Sequence, residues 1–201
     1  MTSNTAYAPV WRAGDADQRT VVDVLTQAFT DDPVARWLFP DGSGDLQARF
    51  YRSLITHPAG ESYLAGRAEG AAVWLALGAG QPPHEDPPGG PGTGGTPPSG
   101  AGGARLSALG RALAERHPIS EPHLYLSCVG VARELRGTGL GSALLRHRLE
   151  RADADRVPAY LEASSPRSRA LYLRHGFEDL GEPVRVAGGP PLWPMWRRPR
   201  G

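Results

Sequence analysis

The chain is expected to fold as one α/β (α+β) domain, a central sheet with helices laid against it. Three features lead there. Strand-like and helix-like segments alternate through the second half; a glycine-rich turn at residues 136–142 links a strand to an amphipathic helix; and 201 residues suit a single hydrophobic core.

Residues 8–12 read as a short strand. In residues 17–29, Val21, Val22, Leu25 and Phe29 recur near helical spacing behind an acidic start at Asp15 or Asp17. Asp32 and Pro33 open a turn, and Phe50, Leu54 and Ile55 mark a helix over residues 46–55. Residues 62–65 and 71–77, separated by Gly66 to Gly70, are expected to form a hairpin. A short helix is expected at 106–116 and a strand at 123–131. The next helix, 139–154, turns Leu140, Leu144, Leu145, Leu149 and Ala152 inward. A strand at 157–163 places Val157, Ala159, Leu161 and Ala163 on one face. Ser165 supplies an N-cap, Pro166 a first helical position and Gly176 a left-handed end, bracketing a helix at 167–175. Residues 177–180 and 192–198 read as closing strands.

Residues 78–103 interrupt this pattern. Gly or Pro occupies 17 of these 26 positions, so the segment offers neither helix nor strand nor core side chains. The part before it has too few apolar segments to close a core alone. The segment is therefore read as a disordered insertion within one domain, 1–201, rather than as a linker between two.

Composition excludes several functions. The 22 basic residues, all Arg, nearly balance 21 acidic ones, and a net charge of +1 provides no field for nucleic acid or an anionic membrane. Without Lys there is no Walker A loop and no lysine Schiff base. Cys128 is the only cysteine, which excludes an intramolecular disulfide and a multi-Cys metal site; His84 stands alone in the Gly/Pro stretch, and no metal is expected. No apolar run approaches the roughly 20 residues that span a bilayer. The opening residues lack the basic-then-apolar pattern of a signal peptide, so a cytoplasmic location is expected.

The turn formed by Arg136, Gly137, Thr138, Gly139, Leu140, Gly141 and Ser142 carries the chemistry. Glycines let successive backbone N–H groups converge without a Cβ in the way, and the helix that follows adds a partial positive charge. A pyrophosphate suits such a turn; a tight turn without a ligand is the bland alternative. A dinucleotide-binding turn fits poorly, because its third glycine position falls on Ser142 and four residues separate the turn from the strand.

Arg136, Gly139 and Gly141, preceded by Val129, Gly130 and Val131, resemble the acetyl-CoA motif of the GNAT N-acetyltransferase superfamily. Downstream, Ala170, Tyr172, Gly176 and Phe177 are similar to that superfamily's A-x-Y-x-x-x-G-F ending. Ala28 to Pro33 and Tyr160 to Ser164 further resemble the layout of the puromycin N-acetyltransferase group and related actinobacterial enzymes. The resemblance implies a mixed, mostly antiparallel sheet flanked by helices. It implies acetyl-CoA as cosubstrate and direct acetyl transfer to the primary amine of a small molecule, antibiotics included, by a monomer or homodimer. A non-catalytic module that binds acyl-CoA or a drug on the same fold is the competing reading.

By the same resemblance, amides of residues 137–142 hold the pyrophosphate and residues 129–131 pair with the pantetheine arm. Ser165 stands where an Asn often fixes that arm, and Arg133 where a Pro is common. Tyr172 is implied as the acid that protonates the departing thiolate; otherwise it is a half-buried Tyr with its hydroxyl in water. Glu162 lies opposite Leu161 near the end of a central strand, where desolvation would raise its pKa toward that of a general base; an ion pair with an Arg is the alternative. His123 starts a strand on the face expected to carry Tyr125, Ser127 and Val129, and is a second candidate base or a structural residue. Cys128 reads as a small buried apolar residue.

Overall fold

The computed structural model describes residues 8–40, 44–83, 101–186 and 188–201. Among the described residues seven strands form one sheet in the order β1-β2-β3-β4-β5-β7-β6. These are β1 (Val10–Arg12), β2 (Gly60–Ala65), β3 (Gly70–Leu77), β4 (His123–Val131), β5 (Ala159–Ala163), β6 (Glu178–Asp179) and β7 (Trp193–Arg197). Only β4 and β5 run parallel; every other neighbouring pair is antiparallel. The helices are α1 (Gln18–Ala28), α2 (Pro33–Leu38), α3 (Gly44–Ile55), α4 (Ala101–Ala114), α5 (Leu140–Ala154) and α6 (Pro166–Arg174).

The inward stripe expected for α5 is buried in full: Leu140, Leu144, Leu145, Leu149 and Ala152 pack with Leu124, Leu126, Ala159, Leu161 and Ala163 on one sheet face. On the other face Val21, Leu25, Tyr51 and Leu54 of α1 and α3 cover Leu64, Ala71, Val73 and Cys128. A third cluster joins α2 to α4 through Val34, Leu38, Phe39, Leu106 and Leu109.

Three expectations change. Asp32 and Pro33 open a helix rather than a turn, because the Asp32 side chain accepts hydrogen bonds from the N–H groups of Val34 and Ala35 and Pro33 sits at the first helical position. The fourth helix starts at Ala101, five residues before the apolar pattern announced it, so residues 101–103 belong to a packed element and not to the insertion. Gly102 lies against α2 so closely that a Cβ there would stand 2.8 Å from the Leu38 carbonyl oxygen. Of the remaining stretch, residues 78–83 are described, following β3, and residues 84–100 lie outside the described residues.

The third change concerns β4. Its register with β3 shifts at Val73 and Trp74, so that Cys128 opposes Val73, Leu126 opposes Trp74, and Ser127 is the extra residue of a bulge. The alternation flips there. His123 and Tyr125 do not share a face with Val129, which packs toward α5 with Val131, while Cys128 takes the α1 side. Gly130 follows on that side, where a Cβ would stand 2.6 Å from the Ala28 Cβ; glycine is what lets α1 settle on the strand.

Candidate active site

The parallel pair gives the site its shape. Pairing between β4 and β5 stops at Leu126 and Leu161. Beyond it the strands part, and the edge of residues 127–131 that faces β5 has no strand partner among the described residues. A cleft of about 570 Å³ opens at this point. It is lined by Ser127, Val129, Gly130 and Val131 from β4, by Arg136, Gly137, Gly139, Gly141 and Ser142 from the glycine turn, and by Glu162, Ser165 and Tyr172. Eleven of the fourteen residues singled out from sequence line this cleft, Thr138, Leu140 and His123 being the exceptions.

The turn is built to leave backbone amides exposed. Gly137 and Gly139 adopt φ of 90° and 98°, a region that strains any residue with a Cβ, and both face open space. Gly139 is the N-cap of α5, and no side chain among the described residues caps that helix. The first N–H groups of α5, from Leu140 to Ser142, therefore lack intrahelical acceptors and side-chain caps. An anion fits that cradle. The side chain of Leu140 meanwhile belongs to the core, and the Thr138 hydroxyl is taken up inside the turn by the Leu135 carbonyl at 2.7 Å. Arg136 is turned toward α1, donating to the Ala28 carbonyl at 2.6 Å and lying 3.8 Å from Asp31. It anchors the turn to α1. Ser142 Oγ and His175 Nε2 are 3.0 Å apart, tying α5 to the end of α6.

Glu162 projects from β5 on the face opposite Leu161, with Tyr160. The Tyr125 hydroxyl donates to Oε2 at 2.8 Å and the Tyr160 hydroxyl also faces the carboxylate, while Oε1 is buried with no atom at hydrogen-bond distance among the described residues. Burial outweighs the donated hydrogen bonds and pushes the carboxyl up to about 7. No arginine pairs with Glu162 among the described residues. Ser165 caps α6 by accepting from the Ser168 N–H, and this cap aims Tyr172 back at the sheet. Tyr172 is buried, its ring edge-on to Phe177, and burial raises its pKa far above the ordinary tyrosine value, so it stays protonated at neutral pH. Cys128 is also buried, its thiol pushed up to about 12.

His123 lies elsewhere. It is buried against Tyr160 and Trp196, with Nε2 3.0 Å from His117 Nε2 and Nδ1 donating to the Glu121 carbonyl at 2.9 Å. It does not line the cleft, and burial lowers its pKa.

Asp32 also lines the cleft, although the sequence marks it only as the opening of a turn. Its Oδ1 accepts from the N–H groups of Val34 and Ala35, and its Oδ2 accepts from the Ser164 hydroxyl at 2.6 Å. Burial raises its carboxyl above the ordinary aspartate range. The Asp-Pro pair was the available signal, since Ser165 and Pro166 carry the same N-cap pattern.

An acetyltransferase (GNAT) family model matches residues 99–177. A solved Corynebacterium glutamicum structure described as "histone acetyltransferase HPA2 and related acetyltransferase" is 33% identical, with 97% of this chain and 98% of that chain covered and a TM-score of 0.68. The chain belongs to the GNAT acetyltransferase family. A 5-NmdU N-acetyltransferase of Pseudomonas phage PaMx11 is 32% identical over 73 residues, which span 36% of this chain and 52% of the phage protein; the match thus covers about half of that curated relative. Arylalkylamine N-acetyltransferase 2 of Aedes aegypti shares the fold, with a TM-score of 0.68 at 15% identity over 96% of this chain and 99% of that one. No helix among the described residues is long and apolar enough to cross a membrane.

Proposed function

We propose that the protein is an acetyl-CoA-dependent N-acetyltransferase that acetylates the primary amine of a small molecule directly. The observation that carries this reading is the sharing of one cleft by the uncapped α5 turn, the unpaired edge of β4, the Glu162 carboxylate and Tyr172. The amides of residues 137–142 and the edge of residues 129–131 suit the pyrophosphate and pantetheine of acetyl-CoA, which supplies an activated acyl group as a thioester.

Glu162, ionised above about pH 7, takes a proton from the acceptor ammonium directly or through a water, leaving the nitrogen lone pair free to attack. As the C–N bond forms and the C–S bond breaks, the Tyr172 hydroxyl gives its proton to the departing sulfur, the second proton of the nitrogen passes through solvent to the tyrosinate, and Glu162 releases its proton to solvent. His123 has no part, being spent on His117 and the Glu121 carbonyl. Antibiotic amines, which the layout resemblance implies, are included among the proposed acceptors.

Thiol release from acetyl-CoA with a panel of amines tests the reading. Tyr172→Phe is expected to lower turnover about 10²-fold while acetyl-CoA binding persists. Binding of acetyl-CoA with no amine-dependent thiol release in the wild type would favour the non-catalytic module.

A further inference from the structure

The acceptor class can be narrowed, on the basis of the N-acetyltransferase reading. The cleft extends beneath α2, α3 and α4, where Phe29, Phe39, Phe50, Tyr51, Leu109 and Leu113 form its wall. Two carboxylates, Asp32 and Glu162, open into this apolar space. Asp31 takes Arg133 at 3.2 Å and Arg136 at 3.8 Å; Arg136 also acts on Asp32 at longer range and Arg167 and Arg174 line the cleft, but Asp32 forms no ion pair among the described residues. Asp32 is instead held in place by two backbone N–H groups and the Ser164 hydroxyl, and Glu162 faces the Tyr125 and Tyr160 hydroxyls, with no cation paired to it among the described residues. A carboxylate kept in an apolar pocket without a cation is costly, and a ligand that brings the cation recovers that cost.

We infer that the acceptor is a hydrophobic primary amine, its ammonium held by Asp32 beside Glu162 and its aryl or alkyl body packed against the Phe50 and Leu113 wall. The Ser164 hydroxyl that donates to Asp32 lies two residues along the chain from Glu162, and both carboxylates line the one cleft. A polyamine would have to bury a further cation among Phe and Leu side chains, and a peptide would leave its backbone groups without partners there. Asp32 is thus a specificity-determining residue. Glu162 removes the proton; Asp32 holds the nitrogen.

Calorimetry on the acetyl-CoA-free protein provides a readout independent of chemistry, with phenethylamine, its uncharged analogue 2-phenylethanol, spermidine and a short peptide with a free N-terminus as probes. Phenethylamine is expected to bind more tightly than spermidine and the peptide. Asp32→Asn, which retains an N-cap for α2, should weaken phenethylamine about tenfold or more and leave 2-phenylethanol unchanged. Leu113→Ala should weaken both aryl compounds alike. Melting curves identify a variant that fails to fold, in which case Ser164→Ala, which removes only the hydrogen bond to Asp32 Oδ2, takes its place with a smaller expected loss. Tight spermidine or peptide binding with no phenethylamine binding, or equal phenethylamine binding by wild type and Asp32→Asn, overturns the inference. Thiol release then separates the two readings: turnover of spermidine alone leaves the N-acetyltransferase standing without this acceptor class. Phenethylamine binding that depends on Asp32 but gives no turnover upholds the class and defeats the catalytic reading.

Discussion

Tyr125 donates a hydrogen bond of 2.8 Å to Oε2 of Glu162, from the strand that runs parallel to β5. That bond stabilises the ionised carboxylate, yet burial dominates and leaves its pKa at about 7. A base poised there is matched to work near neutrality. The rate with a wild-type chain is therefore expected to fall tenfold per pH unit below about 7. Glu162→Gln should be slower by about 10²-fold or more at and below that pH and should approach the wild type at high pH, where the amine is already neutral. A mutant-to-wild-type ratio that stays flat through the amine's titration would remove Glu162 as the base. The same shift has a stability consequence. A carboxyl whose folded pKa is raised binds more protons folded than unfolded, so it costs stability as pH rises from the ordinary glutamate range through 7. Glu162→Gln should gain melting temperature relative to wild type at pH 8 and not at pH 4.

Gly139 caps α5 with φ of 98° and a Cβ there would touch nothing. Substitution by Ala thus introduces backbone strain without a steric clash, at a cost of about 1–2 kcal/mol, or relaxes the turn. Either result spoils the alignment of the amides. Acetyl-CoA affinity is expected to fall in Gly139→Ala far more than in Gly141→Ala. At Gly141 a Cβ would make ordinary contacts with Leu171 and Val131 at 3.5 and 3.7 Å, and calorimetry on both variants measures the difference.

Gly102 marks where the insertion ends and the packed protein begins. Ala normally gains about 1 kcal/mol over Gly inside a helix. Here its Cβ would press on the Leu38 carbonyl at 2.8 Å, a backbone atom with little freedom to retreat. Gly102→Val is expected to lower the melting temperature and to loosen the α2–α4 wall, read as weaker acceptor binding. Because residues 84–100 contribute no apolar run, shortening that stretch should leave melting within a few degrees.

Arg197 is buried and forms a bidentate pair with Asp153, at 2.6 and 2.7 Å, that ties β7 to the end of α5. Hydrogen bonds from Arg197 hold the Asp153 carboxyl below the ordinary range. Asp153→Asn leaves the guanidinium buried without its counter-charge. The expected cost is about 3 kcal/mol, the lower end for breaking a buried pair because Asp153 retains some contact with water. A depressed folded pKa contributes stability that is complete above the ordinary aspartate value of about 3.9 and is lost as pH falls through the folded value. The melting gap between wild type and Asp153→Asn should therefore be constant from pH 5 to 8 and close only below about pH 4.

The sequence by itself determined what short-range chemistry controls. The apolar spacing of α5, the bounds of β4, the Ser165 and Pro166 cap of α6 and the glycines of the turn are each set by residues within a few positions of one another, and all were legible. The tertiary structure alone decided what depends on distant partners. Asp32 meets Ser164 across 132 residues of chain, and Arg136 reaches the Ala28 carbonyl across 108, so neither the second carboxylate of the cleft nor the fate of that arginine could be read locally. His123 sits at the start of β4, held by His117 and the Glu121 carbonyl and away from the point where β4 and β5 part, while the bulge at Ser127 reverses for Val129 and Val131 the alternation that a regular strand would keep. Periodicity reports which face of an element is apolar. Which side chains then converge on one cleft is fixed only when helices and strands pack, because packing, not spacing, brings residues from distant parts of the chain within hydrogen-bond reach.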